Sequence, residues 1–209
     1  LLKQSHPGLN VTVVEFLDRP VPNMLDADMA EKVRTYLEEQ GVRLLTKTGV
    51  TGIQGKDDHV SRVDLDSGES IDADMVLMSV GAKSNFDLAD QAGLERGDFG
   101  IKVNEYMETS HPDIFAAGDN VENRCFITGK NVPGQLRGTA VCQGRLVAKR
   151  LKGAAIAFPG VLNNSCVKLF DLSAASVGLT EELAAKYGLQ TACFMVDSRS
   201  KHGMIEGMK

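Results

Sequence analysis

The sequence has no tryptophan, and with three tyrosines and eight phenylalanines among 209 residues its 43% hydrophobic content is mostly aliphatic. No apolar run approaches the roughly 18–20 residues of a membrane-crossing helix. No long basic run occurs either, and 23 Lys plus Arg against 28 Asp plus Glu give a net charge of −5. A dedicated nucleic-acid or anionic-membrane binder draws its affinity mainly from Lys and Arg, so neither class fits. The four cysteines, Cys125, Cys142, Cys166 and Cys193, stand too far apart for a CxxC redox pair or a zinc site, and reduced thiols in a cytoplasmic protein are expected. His6, His59, His111 and His202 show no metal-ligand spacing. Repeats, heptads and low-complexity tracts are also missing. The length suffices for about one to two domains with a real core. The opening Leu1-Leu2-Lys3, without Met, suggests part of a longer chain.

What is present alternates between strand and helix patterns. Val11 to Glu15 reads as a buried strand ending on a carboxylate. From Asp26 to Gln40, Met29, Val33, Tyr36 and Leu37 mark an amphipathic helix, with acidic residues at its front and Gly41 as its stop. Short runs at Val42–Leu45, Val50–Ile53, Val60–Leu65 and Ser70–Ile71, parted by turn residues, predict an antiparallel meander. Met75 to Gly81 shows no polar alternation and predicts a strand buried on both faces, completing an α/β unit with a right-handed crossover. A short helix at Leu88–Ala92, a turn at Arg96–Asp98 and a strand at Ile101–Val103 follow, then a buried run, Ile114–Ala117, ending at Gly118-Asp119. Leu136 to Leu151 predicts a helix whose face combines Leu136, Ala140, Gly144, Val147 and Leu151. After a linker near 152–160, strands at Val167–Phe170 and Ala192–Val196 should flank a helix opened by Thr180-Glu181-Glu182 and stopped by Gly188.

Three places have the chemistry of a site. Glu15 ends its strand where a dinucleotide-binding unit places the acid that grips two ribose hydroxyls; a solvent-facing Glu is the plainer alternative and, on Glu15 alone, the stronger one. Arg19 nearby weakens a preference for a free 2′-hydroxyl, since an arginine can meet a phosphate. Gly81 closes its run with a residue that lets a ligand approach the backbone, or is an ordinary strand-to-loop glycine. The sharpest is Ile114-Phe115-Ala116-Ala117-Gly118-Asp119: small residues permit close approach, and Asp119 offers a carboxylate able to accept from hydroxyls.

The stretch Thr109-Ser110-His111-Pro112-Asp113 followed by IFAAGD resembles the second FAD-binding signature of the pyridine nucleotide-disulfide oxidoreductases. Gln135-Leu136-Arg137-Gly138-Thr139-Ala140-Val141-Cys142-Gln143-Gly144-Arg145 is similar to a helix start and QGR pattern of the NADH oxidase and CoA-disulfide reductase branch. Lys168-Leu169-Phe170-Asp171 and Ala175 to Glu181 resemble the opening of that branch's dimerisation domain. The resemblance spans nearly all the chain, in the expected order.

It implies an α/β fold: partial FAD/NAD(P)-binding Rossmann-like domains followed by the start of an α+β dimerisation domain. The rear of an NAD(P)H-binding domain would be residues 1–82, the returning FAD segment 83–152 and the dimerisation domain's first part 153–209. Gly118 and Asp119 would hold a ribityl hydroxyl of FAD. Gln135, Leu136 and Arg137 would start a helix facing the flavin's pyrimidine edge, where a helix N-terminus favours negative charge. Arg137, where relatives often carry a small residue, either strengthens that effect or points to solvent. Glu15 and Gly81 would flank the NAD(P)H path. The implied activity is hydride transfer from NAD(P)H through FAD to a small substrate (a disulfide, polysulfide, peroxide or dioxygen) in a homodimer. The family's redox cysteine belongs to a segment not among these residues, so no cysteine here takes that role and the chain alone is expected to be inactive. Cys142 is expected in helix packing and Cys166 and Cys193 in strand cores, with Cys125 alone able to be exposed. Met204 and Ile205 stand where CoA-disulfide reductases carry two tyrosines; Arg199 and Lys201 either meet an anionic substrate or form a solvated charged face. Two alternatives are a folded or dimerising fragment without catalysis, and a flavoprotein reductase passing electrons to a partner protein.

Overall fold

β-branched side chains crowd the backbone at Val11-Thr12-Val13-Val14 and favour extension. In the computed structural model, which describes residues 2–198, this run is β1 (Val11–Val14), preceded by a one-turn helix, α1 (Leu2–Ser5). Helix α2 (Ala27–Glu39) leads to β2 (Val42–Leu45), which pairs with β1 in parallel, Val11 opposite Val42 and Val14 opposite Leu45. Asp26 is the N-cap, and Gly41, at φ +73°, takes the left-handed conformation that ends the helix. The buried face of α2 centres on Ala30 and Val33, whereas Met29 is 43% exposed.

The antiparallel meander has three strands, β3 (Val50–Lys56), β4 (His59–Leu65) and β5 (Ser70–Asp72), in that order; the Val42–Leu45 run expected as its first strand instead pairs in parallel with β1. Asp57 and Asp58 turn the first hairpin, both at positive φ (53° and 60°), the geometry of a two-residue turn whose twist suits the strands. Helix α3 (Asp87–Gln91) comes next. Two short strands, β6 (Asn123–Arg124) and β7 (Asn131–Val132), pair antiparallel before helix α4 (Arg137–Leu151). The hairpin β8 (Ser165–Leu169) and β9 (Leu172–Ser176) follows. Its inward residues Val167, Leu169, Leu172 and Ala174 pack on a core of Met24, Leu25, Ala30 and Val33, so the hairpin covers α2. The chain forms two compact units, Leu1–Gly178 and Leu179–Lys209. The second holds α5 (Glu181–Lys186), whose N-cap Thr180 accepts a hydrogen bond from the Leu183 N–H at 3.2 Å. Gly188, at φ +72°, lies just beyond its end.

Several expectations need correction. The run 75–81 is not a buried strand: Met75, Leu77, Met78 and Val80 are 67–83% exposed, and no described strand pairs with them. Apolar composition supplies the strand preference, but a parallel strand also needs neighbours to take its backbone hydrogen bonds. Ile101 forms single bridges to Arg96 and Val121, and Phe115 one to Glu108; neither region is a regular strand. Ala192–Val196 forms no strand, and Val196 is 80% exposed. On α4, Leu151 is 70% exposed and Gly144 faces open space; the buried position is Gln143. No described helix is long and apolar enough to cross a membrane. Arg199, Lys201, Met204 and Ile205 lie outside the described residues.

Candidate functional site

Ala117 is extended (φ −154°, ψ 158°), and the chain then reverses through a tight turn, Gly118–Asn120, closed by the Val121 N–H donating to the Gly118 carbonyl at 3.2 Å. Gly118 is required twice over. Its φ is +84°, which side chains resist, and a Cβ there would stand 3.3 Å from the Ala140 methyl of α4. The turn can therefore press directly onto the helix.

Two buried amides brace this turn. The Gly118 N–H donates to Gln143 Oε1 at 2.8 Å, Gln143 Nε2 donates to Asn123 Oδ1 at 2.7 Å, and Asn123 Nδ2 donates to the Val121 carbonyl at 3.2 Å. Gln143 is 0% exposed and Asn123 2%. The amide orientations are fixed at both ends, because a backbone N–H can only donate and a carbonyl only accept.

Asp119 projects from the turn. Its carbonyl accepts from Ser84 Oγ at 2.6 Å, and Ser84 Oγ in turn accepts from Gln135 Nε2 at 3.2 Å. The neighbouring Asn120 carbonyl accepts from the Ile101 N–H at 2.8 Å. The Asp119 backbone is thus held from several directions while its exposed carboxylate has neither hydrogen bond nor ion pair among the described residues. This is a preorganised acceptor with both oxygens available to hydroxyl donors.

Helix α4 begins beside it. Leu136 is its N-cap, with extended backbone and no side-chain cap, and no acidic residue occupies the first turn. The Ala140 N–H is bonded to the Leu136 carbonyl, which leaves the N–H groups ahead of it directed out of the helix start. Gly138 leaves open space where a side chain would stand, and Arg137 is exposed. Such a helix end attracts negative charge.

The structure brings Gly118, Asp119, Gln135, Leu136 and Arg137 into one neighbourhood. Gly81, at φ +88°, is exposed, with no hydrogen bond into the cluster. Glu15 is elsewhere, at the end of β1; its N–H extends the ladder to the Leu45 carbonyl at 2.8 Å, and its Oε1 accepts from the Leu17 N–H at 2.8 Å. Arg19 is turned toward Asp18 (3.3 Å) and the Leu25 carbonyl (3.3 Å). Ser84 and Asn123 were not singled out from sequence, and Gln143 only within a motif. Its position after Leu136 and Ala140 on one helical face was the available signal.

The cysteine expectations are reversed. Cys125 is buried at 2% exposure, because the segment after α4 returns to bridge Cys125 with Val161. Burial pushes its thiol up, but hydrogen bonds with the Thr128 hydroxyl and the Thr128 and Ile127 backbone outweigh this and hold it below its ordinary value. Cys142, Cys166 and Cys193 are exposed. Cys166 alternates outward on β8 between half-buried Ser165 and Val167, and Cys142 lies off the Gln143 face. A groove of about 670 Å³ adjoins Cys125, lined also by Lys102, Asn104, Glu122 and Phe158; Asp119 is not among its lining residues.

Comparison with known proteins places this arrangement. The chain is 42% identical over 173 residues to an NADH oxidase of Methanocaldococcus jannaschii, covering 83% of this chain and 38% of that protein. It is 35% identical over 196 residues to a CoA-dependent NAD(P)H sulfur oxidoreductase of Pyrococcus furiosus, covering 93% and 43% respectively. The structure of an NAD-dependent persulfide reductase from A. fulgidus superposes with a TM-score of 0.91 at 38% identity, over 96% of this chain and 37% of that one. The chain thus spans about two-fifths of the length of these curated relatives. Residues 3–144 match the family described as pyridine nucleotide-disulphide oxidoreductase, and with most of its length inside that match the chain belongs to this family.

Proposed function

We propose that these residues are part of an NAD(P)H-dependent flavoprotein oxidoreductase that passes a hydride from NAD(P)H through FAD to a disulfide, polysulfide, peroxide or dioxygen. Residues 1–82 would be the rear of the NAD(P)H domain, 83–152 the returning FAD segment and 153–209 the start of a dimerisation domain in a cytoplasmic homodimer. The NADH oxidase and sulfur oxidoreductase relatives support the reaction class.

The observation that carries the reading is that Asp119, whose carboxylate has no partner among the described residues, stands beside the uncapped N-terminus of α4, linked to it from its backbone carbonyl through Ser84 and Gln135. The donor set fits a flavin: an acceptor for sugar-alcohol hydroxyls, a glycine allowing close approach, and a positive helix end for an electron-rich ring edge. Bound FAD would supply the hydride-accepting ring. In this reading Asp119 accepts from a ribityl hydroxyl, Gly118 keeps the backbone low enough for contact, and the helix start at Leu136 and Arg137 turns its first-turn N–H groups, from Arg137 onward, to the ring edge, the Leu136 N–H being held by the Gly134 carbonyl at 2.8 Å. Gln135 steadies Ser84, and Glu15 and Gly81 flank the nicotinamide nucleotide. No GxGxxG loop lies within these 209 residues, and we expect no NADH turnover from them alone.

The test is flavin affinity of the FAD-loaded protein with Asp119→Asn. Losing a charge-assisted hydrogen bond should weaken binding roughly tenfold or more. Unchanged retention of flavin would overturn the assignment.

A further inference from the structure

We propose that Gln143 is a positioning residue for the flavin site, acting through Gly118 on Asp119; this rests on the reading of Asp119 given above. Gln143 is wholly buried on α4, yet both ends of its amide are engaged: Oε1 takes the Gly118 N–H at 2.8 Å and Nε2 donates to Asn123 Oδ1 at 2.7 Å. Asn123 continues to the Val121 carbonyl at 3.2 Å, so the two side chains join the residue before Asp119 to the second residue after it. With the Val121 N–H to Gly118 carbonyl bond at 3.2 Å, the turn is closed both through its backbone and through α4. The same helix presents its N-terminus to the site, so Gln143 sets the distance between the carboxylate and the helix end. An apolar residue would fill the volume but leave the Gly118 N–H buried without a partner.

Flavin retention, followed by fluorescence of released FAD from the loaded protein, separates this role from a merely structural one. Gln143→Leu should weaken retention roughly tenfold, the scale of one unsatisfied buried donor. In Asp119→Asn, adding Gln143→Leu should cost little more, because both changes disable the same contact. Additive losses would overturn the positioning role while leaving Asp119 as a flavin ligand. An Asp119→Asn protein that keeps its flavin fully would overturn the reading itself, and this role with it. Gln143→Glu covers the case in which the leucine variant does not fold. Its protonated carboxyl can accept from Gly118 and donate to Asn123, and burial favours that form. Retention in this variant, relative to the unsubstituted protein, should recover as pH falls; a flat ratio would overturn the proposal.

Discussion

The Tyr36 hydroxyl accepts a hydrogen bond from the Asp171 backbone N–H at 3.1 Å, tying helix α2 to the turn of a hairpin 135 residues further along the chain. The Tyr36 ring also meets Phe170 edge-on, with centroids 6.4 Å apart and planes at 70°. Phe170 sits at φ +51°, a conformation a bulky side chain adopts only when its surroundings hold it there. Tyr36→Phe removes only an exposed hydrogen bond and should cost under about 1 kcal/mol. Tyr36→Ala also loses the ring contact and should cost about 2 kcal/mol. Urea unfolding of the two variants checks the difference.

Gly118→Ala tests the close approach of the Gly118–Asn120 turn and helix α4. The added methyl meets Ala140 at 3.3 Å and is strained at φ +84°, so a loss of about 1–3 kcal/mol is expected. Adding Ala140→Gly relieves the contact but not the backbone, and thermal unfolding should show only partial recovery.

Acid should loosen two clamps. Asn104 and then Arg150 hold the Glu108 carboxyl below its ordinary value of 4.5 through hydrogen bonds, both at 2.7 Å, against a smaller opposing effect of burial. Gln54 and Ser70, and more weakly Arg62, hold Asp64 below its ordinary 3.8. Each acid ionises more readily folded than unfolded, so its stabilisation is complete above those ordinary values and is lost as pH falls through the lower folded values. Melting temperature should therefore decline as pH drops below 4.5, and Glu108→Gln should flatten that decline.

Thiol labelling of the native chain checks the reversed cysteine pattern. Cys142, Cys166 and Cys193 should react readily, whereas Cys125 at 2% exposure should react roughly tenfold or more slowly until the chain unfolds. Rapid labelling of Cys125 in folded protein would contradict its burial under the Val161 bridge.

Local pattern was enough for much of the fold. Valines at 11, 13 and 14, the Ala27–Glu39 helix with Gly41 after it, the Asp57-Asp58 turn of the meander and the Thr180 cap are all decided by neighbours a few residues apart. The IFAAGD run and the helix start at Gln135 were legible for the same reason, since small residues, a glycine and a carboxylate state their chemistry locally. What needed tertiary structure was every outcome set by a partner distant in sequence. Met75 to Val80 has strand composition but pairs with no described strand. Cys125 is buried by residues near Val161, beyond α4. Above all, a glutamine on a helix reads as surface. Only the fold, by setting a backbone N–H and an asparagine against it in a region closed to water, makes Gln143 the buried brace of the turn that carries Asp119.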